Sequence, residues 1–263
     1  MTIEQLHYTP QTYDQEIRDR IKTLKKQEDT YHIHNYLKNY SDSIVLDAIE
    51  CRVKIVTWLY QVIEYSNLTK ETASIAMSYL DRFLSTKEGE EYLYDPRTFQ
   101  LIGMCCLMLA IKVNESVDVE MSYIEELSKG SYTSSELRET ERKILVILEW
   151  RMSPPTASVF TEHIVELFPQ DIPQSTMNVV KHLSQIQIEI ASKDSSFIAI
   201  KPSVIAMASV LNAMESLQSY ISYEALQNLQ DNFFNNHFEI DATCPAVSEM
   251  RKRLIKQSNL IDC

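Results

Sequence analysis

The side chains able to do chemistry are dispersed along this 263-residue chain. Its six histidines, His7, His32, His34, His163, His182 and His237, fall at no spacing that would gather metal ligands. His32 and His34 are two residues apart, which on a helix would place them on different faces. The five cysteines, Cys51, Cys105, Cys106, Cys244 and Cys263, are odd in number and form no CxxC pair. Three of them lie among apolar residues, so the expectation is reduced, buried thiols in an intracellular protein. With 3 glycines in the chain there is no phosphate-cradling loop and no nucleophile elbow. No catalytic constellation, metal or cofactor is assigned. What remains is recognition by charge and apolar surface.

Composition narrows the kind of recognition. A formal net charge of −12 disfavours a phosphate-tracking surface, because non-specific nucleic-acid affinity comes from clustered Lys and Arg. Lys22, Lys25 and Lys26 form a small basic cluster that reads as a solvated helix face. No N-terminal apolar segment marks secretion, and the longest nearly apolar run, Leu101 to Val113, carries Lys112 and is short for a bilayer. Neither nucleic acid nor membrane is expected as a partner. Scarce glycine and abundant helix formers point to an all-α protein.

Helical periodicity supports that reading. Ile17, Ile21 and Leu24 form a thin stripe between Tyr13 and Asp29. Asp47 to Tyr65 carries a strong one, with Trp58 beside it, and Thr69 is placed to cap a helix through Ile75 to Phe83. Asp95 and Pro96 suit the N-cap and first position of the next helix, and Leu101 to Ile111 is apolar on every side, so other helices must surround it. Val119 to Ser128 follows, then Thr133 and Glu136 predict a capping box for a helix reaching Trp150, stopped by Pro154 and Pro155. A similar plan recurs: Thr156 to Phe168, Gln174 to Ser192, Ser203 to Met214 opened by Pro202, Tyr223 to Phe234, and Pro245 to Gln257. The resulting organisation is an N-terminal helical segment over 1–40 and two tandem five-helix bundles over 41–153 and 154–263.

Four stretches carry a resemblance to a known family: Cys51 to Leu59 (CRVKIVTWL), Met77 to Ser85 (MSYLDRFLS), Gln100 to Lys112 (QLIGMCCLMLAIK) and Glu139 to Trp150 (ETERKILVILEW), closed by Pro154-Pro155-Thr156. In order, spacing and identity they resemble the N-terminal cyclin box, and Lys201 to Val210 looks like the C-terminal cyclin fold. Thr57 and the Pro-Ser of Lys201 to Ser203 are similar to D-type members, whereas Tyr31 to Leu37 looks more like the entry helix of mitotic ones. No Leu-x-Cys-x-Glu segment occurs. The subtype stays open.

The resemblance implies a non-catalytic regulatory subunit that binds and activates a cyclin-dependent Ser/Thr kinase and so controls cell-cycle progression, in the nucleus and the cytoplasm. The family's kinase-holding lysine and glutamate match Lys112 and Glu141, and Leu109, Val113 and Leu145 would line the apolar contact. A substrate- or inhibitor-docking patch would comprise Cys51, Ile55, Trp58, Gln61 and Gln100. Here Lys54 replaces an aliphatic residue and Gln61 an acidic one, which weakens that patch for an Arg-x-Leu segment. Arg251 to Leu254 fits a short destruction-box pattern, with an ordinary helix end as the competing account. The rival function is a transcription-related scaffold built on the same fold, against which the acidic balance weighs.

Overall fold

The computed structural model describes residues 10–39, 42–117, 121–169, 172–217 and 244–261. Among them are ten α-helices, three short 3-10 turns and no strand. The described residues divide into two compact bodies, one drawn from the ranges 31–39, 42–117, 121–158 and 189–201, the other from 10–30, 159–169, 172–188, 202–217 and 244–261.

The first body contains α2 (Asp42–Tyr65), α3 (Lys70–Leu84), α4 (Pro96–Asn114), α5 (Met121–Leu127) and α6 (Ser134–Ile147). Every residue of α4 from Leu101 to Ile111 is buried, because α2, α3 and α6 all pack on it. By length and composition α4 could cross a bilayer; here its apolar surface is covered by protein. Each Leu or Ile so buried contributes about 1.5–3 kcal/mol. Close approach to α2 depends on Gly103: a Cβ there would meet Ile55 Cγ2 at 2.9 Å.

The starts of α4 and α6 are built locally and then tied together. Asp95 accepts from the Arg97 and Thr98 amides, and Thr133 and Glu136 form the expected reciprocal capping box. The Arg97 guanidinium donates to Glu136 at 2.8 Å and lies over the Tyr132 ring, while the Tyr132 hydroxyl donates to the Arg97 carbonyl at 2.7 Å. These contacts tie the starts of the two helices together. Thr69 occupies the N-cap position of α3 without capping it; its hydroxyl donates instead to the Glu115 carboxylate.

Two further features complete this body. Arg52 makes a bidentate pair with Asp81, which also accepts from the Tyr36 hydroxyl at 3.0 Å, and Arg52 donates to the Ser192 carbonyl. Burial works against the Arg52 cation, but Asp81 outweighs it and raises the pKa. The turn Tyr36–Asn39 is thereby pinned to α2, α3 and the chain near residue 192. His32 and His34 precede that turn in non-helical backbone, so helical geometry does not separate them; their rings meet edge to face at 6.1 Å.

The second body holds α1 (Pro10–Tyr31, through residue 30), α7 (Ala157–Glu166, from residue 159), α8 (Gln174–Lys193, through residue 188), α9 (Pro202–Ser216) and α10 (Pro245–Ile261). Ile17 and Ile21 of α1 are buried, and the buried Glu28 accepts from the Ser203 amide and hydroxyl at 3.1 and 2.8 Å. A carboxylate thus caps α9 across 175 residues of sequence, where the helix dipole favours it. Arg251 of α10 donates to Asn212 on α9, and Leu254 is fully buried, so the destruction-box pattern lies inside a packed helix. The helix expected over Tyr223 to Phe234 lies outside the described residues.

Candidate protein-docking site

Lys112 lies in the last turn of α4 and Glu141 in the middle of α6. The helix crossing brings Lys112 Nζ to 2.7 Å from Glu141 Oε1. Their side chains are 38% and 17% exposed, which places the pair at the edge of the protein. Lys112 also sits where the α4 dipole favours a cation. Leu145 is one turn beyond Glu141 on α6 and half-buried, and Val113 follows Lys112 with 48% of its surface open. Leu109 is different: at 3% exposure it belongs to the core and supports the face from beneath.

Sequence reasoning passed over Trp150, a residue that is 69% exposed. It lies in a turn after α6 in which Glu149 and Trp150 both adopt left-handed backbone, with φ of 54° and 58°. The Trp150 amide donates to the Leu145 carbonyl, Arg82 donates to the carbonyls of Leu148 and Arg151, and the Tyr79 hydroxyl donates to that of Met152. With its carbonyls held from α3, the turn presents an indole to solvent next to Leu145 and the exposed Val146. The available signal was a tryptophan just past the last periodic position of α6, ahead of the double proline.

The other patch is shallower. Ile55 is buried against Gly103, Cys51 and Trp58 are half-buried, and Gln61 and Gln100 are exposed. Gln100 accepts from the Tyr132 hydroxyl at 3.2 Å. Lys54 pairs with Glu50 one turn earlier on α2 and projects into water. Burial pushes the Cys51 thiol pKa up, and burial pushes that of Cys105 up to about 12, so both thiols stay protonated at neutral pH. Among the described residues no three His, Cys, Asp or Glu side chains come together as metal ligands.

Comparison with known proteins places this architecture. Residues 19–153 match the cyclin N-terminal domain and residues 155–249 the cyclin C-terminal domain. G1/S-specific cyclin-D1 of Danio rerio is 31% identical over 232 residues, covering 87% of this chain and 76% of the relative. Cyclin-A1-4 of Oryza sativa subsp. japonica is 27% identical over 194 residues, covering 74% of this chain and 51% of the relative. A viral cyclin from herpesvirus saimiri shares the fold with a TM-score of 0.67 at 19% identity, over 91% of this chain and 96% of that one. A chain of the CAK complex from Chaetomium thermophilum shares it at a TM-score of 0.60 and 13% identity, over 95% of this chain and 75% of that one. Carrying a cyclin N-terminal domain over about half its length and a cyclin C-terminal domain after it, the chain belongs to the cyclin family, whose members are non-catalytic kinase regulatory subunits.

Proposed function

We propose that this cyclin binds and activates a cyclin-dependent Ser/Thr protein kinase and thereby controls cell-cycle progression, acting in the nucleus and the cytoplasm. The observation that carries the reading is the Lys112–Glu141 pair at the protein edge. A part-exposed ion pair of this kind contributes only about 0–1 kcal/mol to folding. Its chemistry suits recognition better. Lys112 has three N–H donors and gives one to Glu141, leaving donors for the carbonyls at the end of a partner helix. Glu141 holds the ammonium in place and offers its second oxygen to partner N–H groups. Val113, next to Lys112, and Leu145, one turn from Glu141, offer apolar surface flanking this polar centre, and the exposed Trp150 adds more beyond the end of α6.

Such a face activates by differential affinity. If it fits the kinase's regulatory helix only in the active position, binding shifts the population toward the active state. ATP, magnesium and the phosphoryl chemistry reside in the kinase. The similarity to a chain of a CAK complex bound to ATP-gamma-S supports a role in a kinase assembly. On this reading the patch of Cys51, Ile55, Trp58, Gln61 and Gln100 is a secondary dock for substrates or inhibitors, retuned by Lys54 and Gln61.

The test is a phosphorylation assay. Each cyclin-dependent kinase of the source organism, purified without its own cyclin, is assayed with and without this chain. At least one should gain activity by tenfold or more; equal rates throughout would reject the proposal. A scaffold would instead retain its partners when Lys112 is replaced.

A further inference from the structure

The last turn of α4 ends in a closed hydrogen-bond network that the docking face does not itself contain. Glu115 follows Asn114 at the C-cap of α4. Its Oε1 accepts from the Thr69 amide at 2.9 Å, the Thr69 hydroxyl at 2.8 Å and the Thr72 hydroxyl. Asn114 Nδ2 donates to the same two hydroxyls, at 3.0 and 2.9 Å. The two hydroxyls also lie 3.1 Å apart, and one proton arrangement satisfies every contact to Glu115 and Asn114. Each threonine hydroxyl gives its one hydrogen to Glu115 and receives one from the two-hydrogen amide of Asn114. Thr72 is fully buried, so its part of the network is shielded from competing water.

The cost of a frayed helix end explains what this network does. The last carbonyls of α4 have no partner within the helix, and terminal turns open with little free energy unless something holds them. Here the Glu115 amide donates to Ile111 and its side chain fastens the turn to the start of α3, 43 to 46 residues away in sequence. Lys112 is three residues upstream in that turn. The loop before Thr69 is held too, by Ser66 and the Tyr123 hydroxyl of α5 at 3.1 Å.

We propose that Glu115, with Asn114, Thr69 and Thr72, is a positioning group that holds the last turn of α4 so that Lys112 meets Glu141 and keeps its remaining donors aimed outward. This rests on the kinase-binding reading above. Glu115 touches no partner in this role; it acts through Lys112. Its carboxyl supports the assignment: burial pushes its pKa up, yet the hydrogen bonds from Thr72 and Thr69 outweigh burial and hold it below the usual value, ionised as an acceptor.

The experiment uses the full chain and the kinase that it activates best. Glu115→Ala should speed amide exchange of residues 111–115 by tenfold or more and weaken kinase affinity about tenfold, with the rest of α4 still protected. Glu115→Gln keeps the Oε1 acceptor and should restore most of both. Thr69→Ala, an exposed loop change that removes one donor from Glu115, should give intermediate values and serves if the Glu115→Ala protein does not fold. Unchanged exchange in residues 111–115 would overturn the positioning role. So would unchanged affinity in Glu115→Ala beside a clear loss in Lys112→Ala. Unchanged affinity in Lys112→Ala would instead overturn the docking face, while the exchange data still decide what Glu115 holds.

Discussion

Replacing Lys112 with alanine separates a docking role from a folding role, because the structure assigns the two very different magnitudes. The Lys112–Glu141 pair is part-exposed, with an Nζ–Oε1 distance of 2.7 Å, so its loss should cost the isolated chain about 1 kcal/mol or less. In a domain of this size that corresponds to a shift in Tm of roughly 2–4 °C at most. Glu141 keeps partial access to water and is not stranded in the free protein. In a kinase complex the same residues would be desolvated, and truncating one member of a buried, hydrogen-bonded charge pair costs about 2–5 kcal/mol. The expected affinity loss is therefore about 30-fold or more. Calorimetric titration against the activated kinase, paired with thermal unfolding of the chain alone, measures both quantities on the same preparations. A loss below threefold, or a fall in Tm beyond about 8 °C, would refute the reasoning: the pair would then be structural.

Four other outcomes are expected. Trp150→Ala should weaken kinase binding by about tenfold with little change in stability, because the residue is 69% exposed in the free chain; affinity and urea denaturation read the two separately. Arg52→Met should cost about 3–5 kcal/mol in denaturant unfolding, since it leaves Asp81 buried and without its bidentate partner. Gly89→Ala should destabilise by about 3 kcal/mol or more, because the new Cβ would lie 1.9 Å from the Phe83 carbonyl oxygen, a backbone atom with little room to give. Glu136 is held at about 2, against an ordinary 4.5, by the Thr133 amide, the Arg97 guanidinium and the Thr133 hydroxyl. A depressed carboxyl contributes stability above 4.5 and loses it as pH falls toward 2, so the stability curves of the native chain and Glu136→Gln should separate above pH 4.5 and converge near 2.

Much of this protein was legible without coordinates where a few neighbouring residues decide the outcome. Asp95 with Pro96, and Thr133 with Glu136, announced their helix starts because an N-cap satisfies amides only two or three positions away. The all-round apolar stretch of α4 required surrounding helices, and four dispersed stretches carried the family resemblance. Thr69 shows the limit of such reasoning: it stands at the N-cap position it was assigned, but its hydroxyl serves a carboxylate 46 residues away. Periodicity could not separate Leu109 from Val113, since both lie in one apolar run and only the packing of α6 and α3 decides which is covered.

The sequence by itself determined the described helices, the caps at Asp95 and Thr133 and the candidate residues, because these depend on local hydrogen bonding and on which side chains avoid water. Only the tertiary structure decided the 2.7 Å approach of Lys112 to Glu141, the burial of Leu109, the exposure of Trp150, the capping of α9 by Glu28 and the grouping of α1 with the second body. Each of these joins residues far apart in the chain. Their meeting follows from how helices cross when close-packed side chains interlock, and no local pattern of residues encodes that angle.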